Sequence, residues 1–239
     1  MTEVDIIGQI IGGNVGHILI REKGGKRLEL GDLLVSREKD SSLILQVFNL
    51  MYGSQIPAST KEMMSGINLE KKPFDLEIFE PELRNYTLAE VRALARVDTT
   101  NEKLKVTLPK ILPPVFNTVD LITSEDLKFL SKTESSFYVG NVRSGTKEID
   151  VGVWLPSKEV FSHHVLIPAT TGRGKSNLVK TILWHILDDS SVSALVLDAH
   201  NEYYGIQNAG LKDHNDAQNN LVYYTPNNPK DGANFLTVN

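Results

Sequence analysis

Val165-Leu-Ile-Pro-Ala169-Thr-Thr171-Gly-Arg-Gly174-Lys175-Ser176-Asn177-Leu178 decides how this chain reads. A loop that wraps a nucleoside triphosphate follows the pattern glycine, four residues, then Gly-Lys-Ser or Gly-Lys-Thr. Gly174, Lys175 and Ser176 match that pattern, Ala169 stands at the first glycine position, and Gly172 adds a flexible point. Successive backbone N–H groups must turn inward onto phosphate oxygens, and glycine lets the backbone curl that closely. A helix beginning at the loop presents its positive end to the same anion. Lys175 is then the group that reaches the outer phosphates, and the Ser176 hydroxyl is a ligand for Mg²⁺. The expected cofactors are ATP and Mg²⁺. The run expected to touch them is Thr171, Gly172, Arg173, Gly174, Lys175, Ser176 and Asn177.

The motif needs a strand before it and a helix after it. Residues 164–168 form a short apolar run, residues 175–187 carry a helical pattern, and residues 193–198 are a buried-type apolar strand. Strand, loop, helix, strand is a βαβ unit and predicts a parallel sheet. The second apolar run ends in Leu195-Val-Leu-Asp-Ala-His-Asn-Glu-Tyr-Tyr204. An aspartate closing such a strand resembles the metal-linked acid of phosphate-loop ATPases, which makes Asp198 and Glu202, with Lys175, the expected catalytic set. The plainer reading of the same residues is a capping aspartate and a surface glutamate. His200 alone beside an aspartate reads as structural. His163 and His164, adjacent on a strand, would point to opposite faces and share no metal.

Outward from the loop, residues 137–143 and 148–155 predict a hairpin turning at Ser144-Gly145-Thr146. At the other end of the chain, residues 5–12, 16–21, 27–37 and 42–53 are rich in Ile, Leu and Val. Turn chemistry separates them: Gly12-Gly13-Asn14, Lys23-Gly24-Gly25-Lys26 and Lys39-Asp40-Ser41. Four short strands at this spacing predict a small barrel or sandwich, with a corner at Leu30-Gly31-Asp32. Ser59 three residues before Glu62, and Thr87 three before Glu90, are capping-box signatures that predict helices over 59–66 and 87–96. Residues 70–81 read as an extended connection, Pro109, Pro113 and Pro114 as a domain junction, 124–130 as a short helix, and 221–224 as a last strand. The expected organisation is a β domain with its connection over 1–85, then an α/β ATPase portion over 86–239 with a helical insertion near 86–135.

The chain has 239 residues, a net charge of -5, 41% hydrophobic and 23% charged residues, and no cysteine. Without cysteine there are no disulfides, thiolate–zinc sites or thiol nucleophiles, which suits a reducing compartment. No basic segment followed by an apolar stretch opens the chain, and no apolar run approaches the roughly 20 residues of a membrane span, so the expected location is the cytoplasm, without a membrane partner.

With these residues in view, Thr171-Gly-Arg-Gly-Lys-Ser176 followed by Asp198-Ala-His-Asn-Glu-Tyr203 resembles the HerA family of archaea and bacteria. Ile7-Gly8-Gln9-Ile10 and Leu30-Gly31-Asp32-Leu33 resemble that family's HAS-barrel. The resemblance covers most of 1–53 and about 137–205. It implies a HAS-barrel followed by the first part of a RecA-like phosphate-loop core. It also implies a homo-hexameric ring that moves double-stranded DNA, and a NurA-type nuclease docked on the barrel for end resection and recombinational repair. By the same likeness Lys175 and Ser176 hold ATP and Mg²⁺, and the segment from Asp198 to Glu202 lies near the γ-phosphate. The chain departs from the family in lacking a later strand ending in Asp-Glu and an arginine finger, so it reads as the front part of a longer protein. Other phosphate-loop readings are a small kinase, a conjugation- or secretion-type ATPase, and an assembly subunit that binds nucleotide without hydrolysis. A barrel ahead of the loop favours the motor over the kinase.

Overall fold

The computed structural model describes residues 6–70, 85–98, 104–130, 132–205, 208–225 and 234–235. The chain divides into two compact units, 1–129 with 143–150, and 130–142 with 151–239.

The first unit is a closed antiparallel barrel. Its strands are β1 (Ile6–Asn14), β2 (His17–Glu22), β3 (Leu33–Arg37), β4 (Ser41–Ser54), β5 (Asn85–Asp98) and β7 (Thr118–Leu121). They run in the order β2-β1-β7-β3-β4-β5, and β5 pairs back onto β2, so the six strands form a ring. A short β6 (Lys105–Thr107) adds to β5 outside it. Closure removes free sheet edges, which is how a small all-β unit avoids pairing with other chains. The alternation of the strands supplies the core: Ile7 and Ile10, Ile18 and Ile20, Leu43, Leu45 and Val47, Ala89 and Val91 all point inward and are buried. Local chemistry fixes the corners. The Asn14 side-chain oxygen accepts the N–H groups of Gly16 and His17 at 3.0 Å each, closing the turn between β1 and β2. Gly31, at φ 88, makes the corner before β3, and its N–H donates to the Val47 carbonyl at 2.8 Å.

Three expectations change in this unit. Residues 87–96, predicted as a helix, lie inside strand β5. Thr87 to Glu90 imitates a capping box, and five of the residues from 88 to 95 are strong helix formers, Leu or Ala. However, Ala89, Val91, Ala93, Ala95 and Val97 alternate at the strand period, and β5 zips against β4 from Ser41↔Asp98 to Ser54↔Asn85. Pairing along a whole strand outweighs local propensity. Residues 86–98 are therefore no helical insertion but a wall of the barrel. Pro109, Pro113 and Pro114 stand between β6 and β7, two strands of the same sheet, and mark no junction. Helix α1 (Ala58–Leu69) is present, but Pro57 occupies its N-cap with no side-chain cap bond, so the Ser59–Glu62 box is not formed. The predicted short helix before residue 130 appears as a 3₁₀ segment, Glu125–Leu130. The extended connection predicted beyond Glu70 lies outside the described residues.

The hairpin forms as predicted, from β8 (Ser136–Ser144) and β9 (Lys147–Pro156), with Gly145 at φ 55 in the turn. Its tip belongs to the barrel unit. Ser144 Oγ accepts the Leu33 N–H at 2.8 Å, and the Thr146 hydroxyl donates to Glu29 at 2.8 Å. A Cβ on Gly145 would stand 2.5 Å from an Asp32 carboxylate oxygen, so only glycine fits there.

The second unit contains the lower part of that hairpin, α2 (Ser157–Phe161), α3 (Lys175–Ile186), a 3₁₀ turn at Leu211–Asp213, α4 (Ala217–Asn220) and a two-residue parallel pair, β10 (Tyr224–Thr225) with β11 (Asn234–Phe235). Helix α3 meets the prediction, whereas the strand predicted over 221–224 is reduced to the two-residue Tyr224–Thr225 and overlaps it only at Tyr224. The two apolar runs beside the loop do not meet theirs: 164–168 and 193–198 pair with nothing among the described residues, so the βαβ sheet is not formed here. Parallel strands need neighbours on both edges and cover on both faces. In this chain Leu166 is 87% exposed, Leu195 90% and Leu197 89%.

Candidate functional site

Residues 169–174 approach α3 as an irregular loop whose shape rests on two glycines. Gly172 has φ 77 and Gly174 has φ 84, the left-handed region that side chains with a Cβ rarely adopt. A Cβ at either position would meet nothing within 4 Å, so the glycines are there for backbone direction and not for room. The Arg173 N–H closes the turn onto the Thr170 carbonyl at 3.2 Å. Gly174 is the N-cap of α3, and the Leu178 N–H makes the first helical bond, to the Gly174 carbonyl at 2.9 Å. The N–H groups of Gly174, Lys175, Ser176 and Asn177 therefore precede the helical ladder and donate to no protein acceptor among the described residues. Four unpaired donors at a helix start, with Lys175 exposed beside them, suit an oxyanion such as a phosphate. Ser176 Oγ makes no protein hydrogen bond and is available to a cation held against that anion.

Across from the helix, the turn from Asp198 to Tyr204 is fixed by its own hydrogen bonds. Asp198 accepts the N–H of Glu202 at 3.1 Å and that of Tyr203 at 3.0 Å. Its carboxylate thus caps the turn through these two N–H groups, with no helix following it. Asn201 takes φ 55. Ser176, Asn177 and Lys180 from α3 and His200, Asn201 and Glu202 from the turn line one cleft. The sequence-predicted residues thus divide. Ser176, Asn177 and Glu202 share the cleft, with His200 beside them. Asp198 lies behind it as a support. Thr171, Gly172, Arg173 and Gly174 make the approach to the helix, exposed to solvent.

Lys180 escaped the sequence reading although its signal was there: four residues after Ser176 is one helical turn, hence the same face. Its ammonium donates to the Ala209 carbonyl at 3.2 Å. Tyr223, whose hydroxyl donates to Asn201 at 2.9 Å, carried no such signal because it lies 22 residues away.

One further cluster offers metal-type ligands: Asp188, His214 and Asp216. His214 is buried, packs edge-on to Trp184, and has Nε2 3.3 Å from Asp188. Its Nδ1 accepts the Asp216 N–H at 3.1 Å, which puts the ring proton on Nε2, facing the carboxylate. Both nitrogens are occupied, so the cluster is a structural clasp at the end of α3. His163 and His164 join no metal-type cluster among the described residues.

The Asp189 carboxylate in this unit is strongly perturbed. The pKa of Asp189 is held far below the usual carboxylate range, first by the buried Ser157 hydroxyl beside it, then by the hydroxyl and N–H of Ser191, and by Ser135. Ser135 donates to it at 2.9 Å and the Ser191 hydroxyl at 2.6 Å, while Ser157 makes no bond of full hydrogen-bond geometry. The group ties the turn after α3 to the segment before β8.

Comparison with known proteins follows the same residues. Residues 137–238 match the family model described as the central domain of helicase HerA. A probable helicase of Methanocaldococcus jannaschii is 28% identical over 208 residues, 83% of this chain and 37% of that protein. The DNA double-strand break repair helicase HerA of Saccharolobus solfataricus is 26% identical over 224 residues, 92% of this chain and 40% of its own length. Its counterpart in Pyrococcus furiosus is 24% identical, over 75% of this chain and 31% of that protein. The chain thus spans well under half the length of these relatives. No helix among the described residues is long and apolar enough to cross a membrane. The glycine-shaped loop and the turn from Asp198 to Tyr204 both lie within the stretch that is similar to the central domain of helicase HerA.

Proposed function

We propose that this chain carries the nucleotide-engaging part of an ATP-driven DNA translocase, with a barrel module ahead of it. The observation that carries the reading is the start of α3: four unpaired backbone donors, a lysine and a free serine hydroxyl in one turn. ATP is the expected ligand. The N–H groups of residues 174–177 and the Lys175 ammonium hold its phosphates, and Ser176 holds Mg²⁺. When bound, that ion neutralises charge on the phosphates. Glu202, on the opposite side of the cleft, is the acid best placed to meet a water or the ion near the outer phosphate.

Double-stranded DNA as the track is supported by the family resemblance, and action on DNA by the names of two relatives as repair helicases. The same resemblance supports a homo-hexameric ring, a RecA-like core in which the runs 164–168 and 193–198 become strands, and the barrel as the seat of a nuclease. ATP turnover by the chain, with and without linear duplex DNA, tests the reading. Turnover stimulated by DNA and abolished by Lys175→Ala is the expected result. Turnover indifferent to both would contradict it.

A further inference from the structure

Glu202 and His200 reach the cleft from either side of a residue in an unusual backbone state, and the structure accounts for how that state is held. Asn201 lies at φ 55, where asparagine is tolerated better than most residues but still at a cost. Its side-chain oxygen accepts the Tyr223 hydroxyl at 2.9 Å. The Tyr223 ring in turn lies on Tyr204, with centroids 4.1 Å apart and planes 13° from parallel. The platform is anchored on both sides. The Tyr203 and Tyr204 carbonyls accept the N–H groups of Leu211 at 2.9 Å and Lys212 at 3.1 Å, and the Tyr223 carbonyl accepts that of Asn234 at 2.8 Å. Gly205 and Gly210 let these two stretches pass closely, since a Cβ on Gly210 would stand 2.5 Å from the Gly205 Cα. Two sets of bonds therefore fix the turn. Asp198 holds its N–H groups from behind, and Tyr223 holds its tip.

We propose that Tyr223 is a positioning residue: through its hydroxyl on Asn201 it sets the direction in which Glu202 faces a triphosphate bound at the loop. The inference rests on the nucleotide reading above. A neighbour of the outermost phosphate distinguishes triphosphate from diphosphate, so Tyr223 acts on that distinction and only through Glu202. Tyr223→Phe removes the hydroxyl and keeps the stacked ring.

The test measures binding of fluorescent ATP and ADP analogues with Mg²⁺ to the parent chain, Tyr223→Phe, Glu202→Gln and the double variant. Tyr223→Phe shifts the ratio of ATP to ADP affinity by about three- to tenfold, the range of one lost hydrogen bond. The shift has the same sense as that of Glu202→Gln, and the double variant shows no more than Glu202→Gln alone. Asn201→Gly removes the acceptor while tolerating φ 55, and gives the same shift, so the result does not depend on one variant folding. A purely structural role moves ATP and ADP affinities together, or adds to the Glu202→Gln effect, and either outcome overturns the proposal. An unchanged ratio with intact nucleotide binding also overturns it and leaves the loop reading standing. Failure of the parent chain to bind either nucleotide overturns the loop reading and the proposal with it.

Discussion

Leu45 and Leu197 sit in apolar runs that look alike on paper, Leu43-Ile-Leu-Gln-Val47 and Leu195-Val-Leu197. Leu45 is fully buried in the barrel, whereas Leu197 is 89% exposed. The difference lies in topology and not in residue type. A barrel strand finds both neighbours within its own unit, because β5 pairs back onto β2 and closes the ring. A strand of a parallel α/β sheet needs partners on both edges and helices over both faces, and among the described residues the runs 164–168 and 193–198 pair with no strand. An apolar run records what a segment is suited to bury, and the pairing of the rest of the chain decides whether it is buried.

That contrast can be broken by paired substitutions. Leu45→Ala costs about 2–5 kcal/mol, because it leaves a cavity in a closed core. Chemical denaturation of the barrel unit measures it, and a loss below 1 kcal/mol would contradict the packing described. Asp189→Asn acts in the other unit and costs about 1 kcal/mol, the lost charged hydrogen bonds being discounted for their partial solvation. Because the folded carboxylate has a depressed pKa, its contribution is complete above the ordinary carboxylate pKa of about 4 and fades as pH falls through the lower folded value. The parent and Asp189→Asn should therefore differ most near neutral pH and converge on acidification. Both tryptophans, Trp154 and Trp184, lie in this unit, so their fluorescence follows it without a signal from the barrel. A gap that widens in acid would refute the hydrogen-bonded carboxylate. Leu197→Ala has the smallest effect, within about 0.5 kcal/mol in this chain. A large loss there would mean that the run is buried after all.

The legible parts of the sequence were those in which local chemistry decides. Asn14, Gly31 and Gly145 marked turns that the structure keeps, and the 3.6-residue pattern after Lys175 marked α3. The loop was legible for the same reason, since its backbone path is fixed by Gly172 and Gly174 themselves. What escaped was non-local. The helix-forming alanines of β5 became strand because β4 and β2 lie along it. Tyr223 reaches Asn201 through a fold that no spacing announces. Asp198 was legible as a residue that matters, and the two backbone N–H groups it accepts were visible only in three dimensions.

The most direct test of the central claim is equilibrium binding of Mg²⁺·ATP to this chain and to Lys175→Ala, with the barrel's fold checked by circular dichroism. We expect the parent to bind and the variant to lose about a hundredfold in affinity, as expected from the loss of charge-assisted bonds to phosphate, with the barrel unchanged. Equal affinity in the two proteins would place the nucleotide elsewhere and remove the loop from the account.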